Sequence, residues 1–172
     1  MRTRYAPQDM NLILAELAGE NDRAAITVGG SLVEHALELV LASRLRQPKN
    51  KTEASYLFSD SGILGTFWEK IWAAYFMGLI GPGARRELDI VRAIRNEVAH
   101  NMNPVSFAVP EIANRCRQLK MFGDAITEPQ NLRMRFLATV QILAGALGLK
   151  SQEDQLSEAK EAMESLQKYL DA

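Results

Sequence analysis

Leu88-Asp89-Ile90-Val91-Arg92-Ala93-Ile94-Arg95-Asn96-Glu97-Val98-Ala99-His100 is the stretch from which the fold can be read. Laid on a helix at 100° per residue, Leu88, Val91, Ile94 and Val98 form one apolar face, and Arg92, Asn96 and His100 form an i, i+4, i+8 stripe beside it. Arg95 falls on the border between the two. An arginine there must snorkel to water or find an anionic or carbonyl partner, because burying its charge alone is expensive. Glu34, Glu38 and Glu97 are the carboxylates that sequence logic offers it. The helix is expected over about residues 84–100, opened by Pro82 or Gly83 after the sharp stop at Gly81-Pro82-Gly83.

The same spacing of three and four extends outward in both directions, and no convincing alternating strand pattern interrupts it. Asp9 followed by Met10, Leu12, Ile13, Leu14 and Leu17 predicts a short helix closed by Gly19. Ile26, Gly30, Val33, Leu37, Val40 and Leu41 predict a central, largely buried helix over about residues 21–46. Gly29-Gly30 within it costs roughly 1 kcal/mol per glycine relative to alanine, so a close helix crossing is expected there rather than a phosphate loop. Gln47-Pro48-Lys49-Asn50-Lys51 reads as a polar connection whose charges, with Arg44 and Arg46, suit a solvated helix end.

A turn rich in capping residues, Leu57 to Gly65, leads into a helix over residues 66–79. There Trp68 and Trp72 stand four apart among Phe67, Ile71, Tyr75, Phe76 and Leu79, a stripe that reads as core or subunit interface. A base-stacking platform would interleave arginines with the rings, and only Lys70 is nearby. Further helices are expected over 110–121, 130–147 and 151–169. Leu132, Phe136, Val140, Leu143 and Leu147 should face inward, and Arg133 and Arg135 should lie on a solvated face. In the last helix Leu156, Ala159, Met163, Leu166 and Leu170 follow an a/d-like spacing behind a capping-box-like Ser151 and Asp154. The fold class is therefore all-α, a compact bundle of about seven helices. Residues 1–150 make one helical domain, and residues 151–172 make an acidic amphipathic helix packed on that domain or on a partner.

Composition narrows the function classes. The chain has 172 residues, 47% hydrophobic and 24% charged, with a net charge of −1. A core of ordinary size is affordable, and broad phosphate neutralisation on duplex DNA, which needs a basic surplus, is disfavoured. Residues 151–172 hold six acids against two lysines. The body that precedes them is thus mildly basic. A single cysteine, Cys116, excludes an internal disulfide and reads as a packing residue, and with only two histidines no zinc site and no other metal or cofactor is expected. Arg2 and Arg4 precede no continuous apolar run, so neither a signal peptide nor a membrane span is expected, and the simplest compartment is the cytoplasm.

The chemistry that Arg95, Asn96 and His100 can support is phosphodiester cleavage without metal. His100 would act as general acid or base, Arg95 would stabilise the charged transition state and Asn96 would orient the phosphate. The alternative is a purely structural cluster, with the arginine paired to a helix carboxylate and the asparagine and histidine closing the helix before Asn101 and Pro104. Arg92 joins these three as a candidate contact for a ligand or partner.

Gly62-Ile63-Leu64-Gly65-Thr66-Phe67, then Ala74-Tyr75-Phe76-Met77-Gly78-Leu79-Ile80, then Ile94-Arg95-Asn96-Glu97-Val98-Ala99-His100 and Ser106-Phe107 resemble the bacterial mannitol operon repressor (MtlR) family, over about residues 36–119. The resemblance implies a compact helical fold and a transcriptional regulator that lacks a helix-turn-helix and acts through other proteins. No short helix, glycine turn and basic recognition helix is found in this sequence either, which argues against direct reading of DNA. The implied protein is a dimeric regulator with a protein partner. Arg95, Asn96 and His100 also resemble the R-x4-H signature of HEPN domains, which include metal-independent ribonucleases working at a dimer interface. Many of those enzymes carry a tyrosine two positions after the histidine, where this chain has Met102. That resemblance implies RNA as the substrate if the cluster is catalytic.

Overall fold

The computed structural model describes residues 21–46, 48–100, 104–121 and 132–170; side chains are not described at His100 or, in the last helix, at 154, 155, 158, 159 and 161–170. The helix expected over residues 9–19 lies outside the described residues. Those described form six helices and no strand: α1 (Asp22–Arg44), α2 (Lys51–Phe58), α3 (Phe67–Phe76), α4 (Pro82–His100), α5 (Pro110–Arg117) and α6 (Leu132–Leu170).

α1 is the axis of the bundle. Asn21 caps it by accepting from Ala24 N at 2.9 Å, and Ile26, Val33, Leu37, Val40 and Leu41 are wholly buried. It packs along α6 on one side and against α3 and α4 on the other. The two glycines serve both crossings. A Cβ on Gly29 would sit 3.3 Å from the Phe136 ring of α6, and one on Gly30 would sit 2.8 Å from Arg95 Cδ of α4. The helix propensity given up at this pair is thus exchanged for close approach. α1 and the first 22 residues of α6 are long and apolar enough to cross a membrane by length and composition, and here they are each other's main packing partner.

α4 buries Leu88, Val91, Ile94 and Val98 completely, so the face drawn from the sequence is the one that meets the core. Across α6, Leu132, Phe136, Val140, Leu143 and Leu147 all point inward, and the Phe136 ring lies 5.6 Å from that of Phe107. Burying each such side chain contributes about 1.5–3 kcal/mol.

Several expectations are corrected. Residues 51–58, where Lys51 is expected in a polar connection and Leu57 and Phe58 in a turn, form α2, because Asn50 accepts from Glu53 N at 2.9 Å while Glu53 accepts from Lys49 N at 2.7 Å. None of its residues is buried, so hydrophobic spacing could not announce it. α3 ends at Phe76 rather than 79, where Gly78 turns the chain with a positive φ of 69° and Leu79 N returns to Ala74 O at 2.9 Å. α5 stops at Arg117 rather than 121.

The two helices expected over 130–147 and 151–169 are one helix of 39 residues. Ser151 is not a cap but a buried residue inside it, with its hydroxyl 3.4 Å from Leu39 O of α1. Nor do Arg133 and Arg135 lie on a solvated face. Arg133 pairs with Asp22, which also accepts from Phe107 N at 3.0 Å, and Arg135 is buried where it donates to Leu119 O at 2.9 Å, just beyond the α5 C-terminus. Carbonyls at a helix end carry partial negative charge, so a buried guanidinium finds acceptors there.

Candidate functional site

Three helices converge on one cleft of about 660 Å³. Its first wall is a face of α1 carrying Ser31, Glu34, His35 and Glu38, spaced so that they stack along one side. Its second is the N-terminal half of α3 with Thr66, Trp68 and Lys70, and its third is α4 with Arg92, Arg95, Asn96 and Ala99. Phe58, Asp60 and Gly65 close the end beside α2. Three of the four residues singled out in the sequence, Arg92, Arg95 and Asn96, therefore share this wall. His100 ends the same helix one turn beyond Asn96, and its side chain lies outside the described residues.

The floor is an alternating chain of charges. Arg95 Nη1 pairs with Glu34 Oε2; Glu34 Oε1 accepts from Lys70 Nζ at 2.8 Å; Lys70 Nζ also reaches Glu38 Oε2 at 3.2 Å. Lys70 is 4% exposed although it sits on a short helix next to a surface turn. An ammonium that deep is tolerated because two carboxylates, one turn apart on α1, surround it. Gly30 fixes the other end. With no Cβ there, the aliphatic part of Arg95 lies flat across α1, and its guanidinium reaches the glutamate one turn further on.

A second alternation runs along α4 toward the neighbouring surface. Arg92 Nε faces Asp89 Oδ1 at 3.6 Å, Asp89 Oδ2 accepts from Arg85 Nη1 at 3.0 Å, and the Arg85 guanidinium covers the rings of Trp72 at 4.9 Å and Tyr75 at 5.4 Å. Those rings belong to an array on α3. Trp68 and Trp72 are 6.2 Å apart, and Trp72 stacks on Phe76 at 5.5 Å. The stripe expected to be core or subunit interface is split: Phe67 and Ile71 are buried, whereas Trp68 is 51% and Phe76 78% exposed. Trp68 is exposed and belongs both to this aromatic array and to the rim of the cleft.

Of the carboxylates offered to Arg95 by the sequence, Glu34 is its partner, Glu38 joins through Lys70, and Glu97 pairs instead with Arg115 at 2.8 Å. His35 was missed. Its signal was present, since it lies between two glutamates on a helix otherwise devoted to core, but one histidine among apolar neighbours does not distinguish itself. Chemically, the cleft balances Lys70, Arg92 and Arg95 against Glu34, Glu38 and Asp60. Such a lining offers hydrogen bonds of both polarities and does not focus phosphate. Among the described residues, no three or more His, Cys, Asp or Glu side chains gather into a group that would hold a metal.

No protein-family model matches the chain, and no curated protein matches it in sequence. Its fold is similar to that of a chain in the X-ray structure of the MtlR–HPr complex from Escherichia coli, with a TM-score of 0.58 and 21% identity over 83% of this chain and 97% of that one. The all-helical architecture that the sequence resemblance implied is the one found.

Proposed function

We propose that this chain is a non-catalytic regulatory protein that works by binding another protein, HPr or a protein of its kind, and that any part it takes in transcription runs through that contact rather than through DNA. One observation carries the reading: an aromatic array in which Trp68 and Phe76 are exposed and the half-buried Trp72 and Tyr75 lie between them, braced by Arg85 and continuous through Trp68 with the polar cleft. Aromatic residues and arginine dominate the energetics of protein interfaces, because they bury much area at small cost in rotamer entropy. Arg92 and Asn96 would supply the polar rim. A chain of similar fold was crystallised with HPr, which supports a protein as the partner class. Isothermal titration of HPr into the wild type should give saturable binding. Trp68→Ala should weaken it by about thirtyfold, the effect of losing about 2 kcal/mol at a hot spot. Absence of binding, or equal binding by the variant, refutes the proposal.

The second reading is metal-independent RNA cleavage by Arg95, Asn96 and His100, favoured by the accessible cleft beside two of these residues. Against it, Arg95 is engaged by Glu34, and the carboxylates of the cleft repel a phosphate backbone. Incubation of wild type and His100→Ala with single-stranded and structured RNA in chelator separates the two. The regulatory reading expects intact RNA with both proteins. Cleavage by the wild type alone would overturn it.

A further inference from the structure

Among the described residues, the body packs on one side of α6 and leaves the other side uncovered. Leu143, Leu147 and Ser151 are buried against α1, while Ile142, Leu149 and Leu156 are 39%, 61% and 58% exposed. These three recur every seven residues, on the side of the helix opposite the buried row. Ala138, Gly145 and Gln152 stand four residues before each, so the bare side has the a/d pattern of a coiled-coil seam. A Cβ on Gly145 would meet nothing within 4 Å, so the seam is open at that level. The sequence continues the register at Met163 and Leu170.

We propose that this side of α6 is the interface of an antiparallel two-fold dimer with a second copy of the same chain. Charge complementarity selects the occupant and its direction. Glu153 and Lys160 are both exposed, lie seven residues apart and occupy the same flank of the seam. With a two-fold axis near Leu156, Glu153 of one copy faces Lys160 of the second copy, and the reciprocal pair forms on the other side of the axis. A parallel pair of helices sets this flank against the opposite one, where Gly148 and Gln155 stand, and gains no ion pair. The seam is thus complementary to itself in one direction only. Because the hydrophobic period is seven rather than the 3.6-based repeat of a straight helix, the pair should wind left-handed.

From Ile142 to Leu170 the seam is roughly 42 Å long at the helical rise, and a strip of helix width covers a few hundred Å² per copy. That is small for an interface between proteins, so the dimer should dissociate in the micromolar range.

Sedimentation equilibrium over a range of concentrations tests this. The wild type should follow a monomer–dimer equilibrium, and Leu149→Glu should be monomeric with an unchanged melting temperature. Glu153→Lys and Lys160→Glu should each weaken the dimer by about tenfold, since each turns two exposed attractions into repulsions. Mixing these two variants should recover wild-type affinity, because every facing pair is then of opposite charge. A wild type monomeric at all concentrations, a dimer indifferent to Leu149→Glu, or a mixture that does not recover would overturn the proposal. So would a monomer whose melting temperature falls with Leu149→Glu, which would show the seam covered by another segment of its own chain.

Discussion

Replacing Lys70 by methionine keeps the length of the side chain and removes only the charge that holds two carboxylates together. In the folded protein Lys70 Nζ lies 2.8 Å from Glu34 and 3.2 Å from Glu38, with its own side chain 5% exposed. Glu34 keeps Arg95 as a partner, whereas Glu38 loses its lysine. Breaking a fully buried pair costs about 3–5 kcal/mol. Here the glutamate side chains are 16% and 13% exposed, so water relieves part of that penalty and a loss of about 2–3 kcal/mol is expected. The sharper outcome is a reversal of sign. Glu38→Gln alone should destabilise the wild type by about 1 kcal/mol, because it removes an ion pair. On the Lys70→Met background the same substitution should restore about 1 kcal/mol, because it removes one of two like charges a turn apart. Urea unfolding followed by far-ultraviolet circular dichroism, with slopes compared to confirm one transition, gives all four corners of the cycle. A cost below about 0.5 kcal/mol for Lys70→Met, or the same sign for Glu38→Gln on both backgrounds, refutes the view that this lysine is held by compensated burial.

Two further outcomes concern single groups. Glu69 is held below its ordinary value of 4.5, first by the Thr66 backbone N–H and then by the Thr66 hydroxyl. A depressed carboxylate stabilises the fold above its unfolded pKa and loses that contribution as pH falls through the folded one. The stability gap between wild type and Glu69→Gln, read from thermal melts, should therefore be widest near neutral pH and shrink as the pH falls below the ordinary value of 4.5. Thr66→Ala should cost about 1 kcal/mol at neutral pH through the same capping box. Burial pushes the Cys116 thiol up to about 12, so it should resist iodoacetamide in the native protein and react at the rate of a free thiol once denaturant unfolds it. Rapid labelling of the native state, read by mass spectrometry, would contradict its burial.

Periodicity by itself determined the helices whose apolar faces meet the core. The positions named for α1, for α4 and, in α6, from Leu132 to Leu147 are buried because a side chain at 100° per residue has no other way to leave water. It also determined that Arg95, at the border of the apolar face, needs water or an anionic or carbonyl partner, and that Arg92, Arg95 and Asn96 share a wall. What it could not determine depends on contacts far apart in sequence. Glu34 rather than Glu97 receives Arg95, because Gly30 brings α1 and α4 within side-chain thickness and no local rule encodes that distance. Lys70 is buried, and Trp68 beside it is not, only because two carboxylates on α1 lie under one of them. The run from 132 to 170 stays a single helix although Ser151 looks like a cap, since packing on α1 buries that serine and continues the turn past it. Local pattern fixes which face of a helix turns inward; which partner it meets there is set by the summed packing of the whole chain.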